Sequence, residues 1–186
     1  LEEDYLLQVA YIDPTIRNEV ENSCICPNFI VHSQQIVPTI KDYRSIGLEV
    51  KPPEVWRYFV RVKKERLQEF IESNNLDQFD LSQAEDEFVY RNSYSLNKTY
   101  YASLGEKKAF VVSHGKNMMV LKIVGYAEQV LQYYCLEDIE AHIWVGHQRY
   151  PTKGKLWHPG GSHPFIGLHD ALVHNGDFSN YHSITE

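Results

Sequence analysis

Residues 55–62 read Val-Trp-Arg-Tyr-Phe-Val-Arg-Val, with no glycine, proline or turn former among them. β-Branched and aromatic side chains dominate, and apolar and basic residues alternate at the end, so this run is a strand. The period then changes at once. From Lys63 to Asn74, Leu67, Phe70 and Ile71 fall on one helical face. A strand that feeds directly into an amphipathic helix needs a sheet for that helix to lie on. The same alternation recurs along the chain. Tyr5 to Ile12 reads as a strand, and Asp13 or Thr15 opens a helix with Pro14 in its first turn, running to about Ser23. Asn28 to Val37 is a second strand, closed by Pro38, and residues 39–53 read as a loop ending in Lys-Pro-Pro. Ser82 and Glu85 form a capping box for a helix from about Gln83 to Ser103, with Gly105 as its stop. Ala109 to Ser113 and Met118 to Val124 are expected as two strands of a hairpin around His114-Gly115-Lys116-Asn117. Tyr126 to Cys135 is a short helix, and Ala141 to His147 and Ala171 to His174 are strands flanking a Gly/Pro-rich loop. The expected class is a single α+β domain, a mixed sheet with helices packed on it.

Composition narrows the function classes. At 186 residues, 43% hydrophobic and 23% charged, the chain is long enough to bury a core and has ordinary globular make-up. A net charge of −7 with scattered basic residues argues against a nucleic-acid or anionic-membrane surface. No apolar run approaches the roughly 20 residues of a spanning helix, and no secretory signal is visible. Cys24, Cys26 and Cys135 make no disulfide ladder, which points to a reducing cytoplasm. Cys24-Ile25-Cys26 has the form of half a metal site but lacks a second pair, so these read as neutral thiols. The sequon Asn97-Lys98-Thr99 reads as coincidental.

The chemistry-bearing residues concentrate near the C-terminus. Seven of nine histidines lie between positions 142 and 182, with His142/His147, His158/His163 and His169/His174 each five apart. On a strand an odd offset sends side chains to opposite faces, so His142 and His147 are not expected to share an ion. No His-Glu-x-x-His or Cys/His framework accompanies them, and packing or hydrogen-bonding histidines are expected rather than a metal site. Asn175-Gly176 after Ala171-Leu172-Val173 is either a hairpin turn or a pair of donors for an oxyanion. Gly176 has no Cβ and permits close approach. Arg149 is either a surface ion-pair partner or a fork for a carboxylate, with Thr152 adding a hydroxyl and Pro151 fixing the backbone between them. Trp157 forms an apolar wall or anchors the loop.

Taken together, Arg149-Tyr150-Pro151-Thr152, Trp157, Ser162-His163-Pro164-Phe165 and Val173-His174-Asn175-Gly176-Asp177 resemble the glutamine-binding half of class II glutamine amidotransferases. The nearest type is the amidotransferase domain of glutamate synthases in its free-standing archaeal form. Phe29-Ile30-Val31-His32, Pro38-Thr39-Ile40, the run from Trp56 to Val60 and the run from Ser113 to Met118 are also similar, less distinctively, so the resemblance spans Phe29 to Asp177. It implies an N-terminal-nucleophile hydrolase fold, a four-layer αββα sandwich. It implies hydrolysis of glutamine to glutamate and ammonia, with no cofactor in this domain and the ammonia passed to a synthase subunit or domain. By the same resemblance Arg149 holds the glutamine α-carboxylate, Thr152 and Trp157 support the pocket, and Asn175 and Gly176 form the oxyanion hole, while His174 and Asp177 flank it. Two features depart from the family. Leu1 stands where the family has its Cys nucleophile, and Cys24 would serve only after cleavage behind Ser23, with Ile25-Cys26-Pro27 unlike the family's Cys-Gly start. The acidic residue that takes the glutamine amino group is expected downstream of Glu186. The sequence thus reads as an interior portion of such a domain, with no nucleophile of its own. Two alternatives are a non-catalytic glutamine-binding or subunit-assembly module of the same fold and a metal-dependent hydrolase built on the histidines.

Overall fold

The structure, a computed structural model, describes residues 3–101, 105–148 and 159–174. Among them, four strands form an antiparallel sheet in the order β2-β3-β1-β4: β1 is Tyr5–Tyr11, β2 Phe29–Ile36, β3 Glu54–Val62 and β4 Ala109–Ser113. The helices are α1 (Arg17–Val20), α2 (Lys64–Asn74), α3 (Leu81–Tyr100) and α4 (Ala127–Tyr133). A separate two-stranded ribbon pairs β5 (Phe165–Gly167) with β6 (Asp170–Leu172). The expected α+β class holds, but the sheet is antiparallel throughout rather than mixed. β1 is central, with Tyr5 opposite Val60 and Tyr11 opposite Glu54 on one side and Gln8 opposite Ser113 on the other.

Alternation along β1 assigns the two faces. Tyr5, Leu7, Val9 and Tyr11 join Tyr58, Val60 and Val62 of β3 against α1, α2 and α3, with Val20, Leu67, Phe88 and Leu96 as the helix contribution. Phe88 sets its ring edge-on to both Phe29 (5.9 Å) and Phe70 (5.2 Å), locking α3 to β2 and α2. The opposite face buries Ala10, Val55, Phe110 and Val112 under α4 and the flanking loops, through Val37, Leu48, Val120, Tyr134 and Leu136. Each fully buried Val, Leu or Phe contributes about 1.5–3 kcal/mol, so both faces are strongly held. One polar residue interrupts the second face. Gln8 is wholly buried, and its Oε1 accepts hydrogen bonds from Ser113 Oγ and from the Val120 amide.

Several elements depart from the sequence expectation. α3 starts earlier, because Asp80 with Gln83 forms the reciprocal capping box in place of Ser82 with Glu85, and α3 ends at Tyr100. Asp13 caps the helical stretch after β1 as expected, but the run tightens at Pro14–Ile16 and widens into a π-helical turn at Glu21–Ile25. Residues 39–53 contain a turn of 3-10 helix, Tyr43–Ile46, capped by Asp42. Met118 to Val124 is not a strand. Its Val120 amide is taken by Gln8 rather than by a ladder, and β4 pairs with β1 instead. Residues 141–147 are likewise not a strand, and of 171–174 only the first two residues belong to β6. Among the described residues no helix is long and apolar enough to cross a membrane. Cys24, Cys26 and Cys135 are free thiols.

Candidate functional site

Of the residues singled out from the sequence, Arg149, Thr152, Trp157, Asn175, Gly176 and Asp177 lie outside the described residues, while His174 lies within them. The two segments that lead into Arg149 and Asn175 meet. His147 Nε2 donates to the His174 carbonyl at 3.0 Å, which fixes the proton of His147 on Nε2. The His163 ring lies 4.8 Å from that of His147 and 6.5 Å from that of His174, with Phe165 packed 4.6 Å away on it. The His174 amide donates to His163 Nδ1 at 3.2 Å. That bond needs a lone pair on Nδ1, so the nearby Leu172 carbonyl (3.3 Å) does not receive a proton from the same atom. His147, His163 and His174 therefore form one stack. These are the packing and hydrogen-bonding histidines expected from the sequence, brought together because the β5–β6 ribbon folds position 163 back onto 174. Among the described residues no group of three or more His, Cys, Asp or Glu is arranged to hold a metal ion.

The ribbon that carries this stack is pinned to the main body at two points. His169 Nε2 lies 3.0 Å from Asp86 Oδ2 on α3, and Asp86 Oδ1 accepts from Tyr5 Oη at 2.6 Å. Burial tends to raise the Asp86 carboxyl, but the hydrogen bonds from Tyr5 and His169 outweigh it and hold it below the usual range. Beneath the ribbon turn lies Gly115, where a Cβ would sit 2.0 Å from the Leu168 carbonyl oxygen. Only a residue without a side chain fits there.

A cavity of about 310 Å³ opens beside the ribbon, between α3, β4, the 118–124 segment and the 159–166 segment. Its polar lining is unusual. His114 is 7% exposed, and neither ring nitrogen has a hydrogen-bond partner. Burial pushes its imidazole down to about 4, so it is neutral at pH 7. Ser93 Oγ, on α3, is buried and also lacks a partner. Lys122 Nζ donates to the Ser162 carbonyl at 2.8 Å and sits 5.3 Å from the Phe165 ring centre. Burial lowers its amine to about 8. Gly160 lets the loop approach Tyr101, whose hydroxyl would be 2.6 Å from a Cβ at that position. Sequence reading missed these groups. His114 and Lys122 were expected in a hairpin, and Ser93 was one polar residue among many on a helix.

Two other polar clusters are structural. The Asp4 side chain is fully buried and is held by His32 Nδ1 (2.7 Å) and Arg61 Nη2 (2.9 Å). Burial raises its carboxyl, but those two hydrogen bonds outweigh it and keep it below the usual carboxylate range. A bulge in β2 between Val31 and Ser33 is what presents His32 to this carboxylate. Cys24 lies in the π-helical turn beside Ser23, and burial pushes its thiol up, which disfavours the thiolate.

No family model matches the chain, and no solved structure matches it. A protein of Archaeoglobus fulgidus, described as uncharacterized, is 36% identical over 131 residues, which is 70% of this chain and 30% of that protein. The chain thus spans about 30% of the length of that relative.

Proposed function

We propose that this chain is part of a glutamine amidotransferase domain of the class II, glutamate-synthase-like type. It releases ammonia from glutamine for a synthase subunit or domain, without a cofactor of its own. The observation that carries this reading is the bond between His147 and His174. It joins the segments leading into Arg149 and Asn175, which a shared amino-acid pocket requires. In this reading the Arg149 guanidinium grips the α-carboxylate through two parallel hydrogen bonds, and the Thr152 hydroxyl adds a third contact. The Asn175 side-chain amide and the Gly176 N–H face the carbonyl oxygen of the side-chain amide and stabilise the negative charge it gains on attack. Trp157 walls the pocket, and His174 and Asp177 set the direction of the turn. No residue of this chain is assigned as the nucleophile. The four-layer αββα sandwich belongs to this reading and requires a second sheet packed on this one, and the free thiols fit a cytoplasmic setting.

The test is glutamate release from glutamine by the protein with its native flanking sequence. Asn175→Ala is expected to lower kcat by about 10²–10³-fold, as loss of one oxyanion donor does elsewhere. Arg149→Ala is expected to raise KM by at least roughly tenfold, equal to about 1.4 kcal/mol of lost carboxylate binding. Glutamine binding by calorimetry without turnover selects the non-catalytic glutamine-binding module. Absence of both binding and turnover rejects the glutamine reading.

A further inference from the structure

We propose that the cavity between α3, β4 and the 159–166 segment is a binding site for a small planar carboxylate, a proposal that does not rest on the glutamine reading. Three features select this ligand class. The first is charge. Lys122 is a half-buried cation whose described polar contact is a backbone carbonyl, and no Asp or Glu stands among the described cavity-lining residues. Among the described lining residues this cation has no opposite charge, which a single carboxylate would supply. The second is the pair of unpartnered groups. His114 and Ser93 line the cavity and are more than nine-tenths buried, and their ring nitrogens and Oγ have no hydrogen-bond partner among the described residues. Buried polar atoms are nearly always satisfied, so two unpartnered side chains on the wall of one hollow, each a side-chain rotation from facing it, mark a place for a polar guest. Neutral imidazole offers one donor and one acceptor, and the Ser93 hydroxyl offers both, which suits a carboxylate oxygen or a ring substituent. The third is shape. Tyr90, Tyr94, Tyr101, Phe110 and Phe165 supply flat aromatic walls, and the volume of about 310 Å³ holds a single-ring ligand. A phosphate dianion would need more cationic donors and would leave the aromatic walls idle.

Phe165 also touches His163, so occupancy here reaches the histidine stack through one ring. The experiment is an NMR titration of the chain with benzoate, against benzamide as the neutral isostere. Benzoate is expected to saturate, with resonances of residues 113–122 and 159–166 moving, and benzamide to bind at least roughly tenfold more weakly. Lys122→Met should lose at least about tenfold in benzoate affinity while leaving benzamide unchanged. Failure of benzoate to saturate by roughly 10 mM overturns the proposal. So does equal binding of the two probes by the unaltered chain, a comparison that depends on no variant.

Discussion

Lys122 shows how one residue trades stability for a site. Its amine falls from the usual 10.5 to about 8 because burial disfavours the ammonium. That drop corresponds to roughly 3 kcal/mol by which the folded state disfavours the charged form. The hydrogen bond to Ser162 returns about 1 kcal/mol of this. Lys122→Met should therefore stabilise the fold at pH 7 by about 1–2 kcal/mol, even as it removes the carboxylate site. The sign with pH is definite. Between pH 8 and 10.5 the unfolded chain holds the proton and the folded chain does not, so wild-type stability rises with pH across that window. Urea melts of both proteins at pH 7 and near pH 10 check this. A variant no more stable than wild type at pH 7, or an advantage that does not shrink at high pH, would show that the lysine is better solvated than its surroundings indicate.

At the scale of elements, the β5–β6 ribbon depends on a glycine from another part of the chain. The Leu168 carbonyl lies so close to Gly115 that an added Cβ would overlap backbone, which does not yield as a flexible side chain does. Gly115→Ala should cost about 1–3 kcal/mol in denaturant midpoint and displace the ribbon from α3. The displacement would be read as loss of the His169 to Asp86 contact by NMR. The same region shows where sequence stops being informative. β1, β3 and α2 were legible because each carries its own period, and neither Tyr58 nor Leu67 needs a distant partner to declare its face. The start of α3 was less so. Asp80 with Gln83 and Ser82 with Glu85 both satisfy the capping pattern, and the earlier pair prevails because the helix extends to the first residue that can cap it. Met118 to Val124 failed outright. Its apolar run looks like a ladder strand, but the buried Gln8 amide, more than 100 positions away in sequence, captures the Val120 amide. The cavity was illegible for the same reason, since Ser93, His114 and Lys122 come from three separate segments and none has a local signature. Arg149 and Asn175 were visible as motif members, whereas the histidine stack beside them required the chain reversal at β5–β6.

Across the whole molecule, the buried groups that respond to acid lie at one end of the sheet. Asp4, Tyr5, Arg61 and His114 cluster where β1 begins and β3 and β4 finish, and the Leu6 amide bonds the Gly115 carbonyl there. Toward the other end of β1, Tyr11 and Tyr58 share a hydroxyl hydrogen bond, and Tyr58 Oη donates to Glu21 beneath the apolar packing of α1. Acid should therefore open the molecule from one end. His114 is neutral when folded down to about 4, but its unfolded value is near 6.5, so the unfolded state binds the extra proton between those limits. Stability falls as pH falls through that window, by up to about 3 kcal/mol. Asp4 acts later and with the opposite chemistry. Its carboxyl is depressed when folded, so its contribution is present above its unfolded range and is lost as pH drops through the lower folded value. Residues 113–122 and 159–174 should thus exchange amide hydrogen for deuterium faster at pH 4.5 than expected from the chemical rate alone, while α3 residues packed around Phe88 stay protected. His114→Phe should flatten stability between pH 6.5 and 4.5 without altering the Asp4 step below it. Uniform exchange across both ends at pH 4.5 would mean that the apolar half of the sheet and the polar half open as one unit, and that the site end has no independent freedom to admit a ligand.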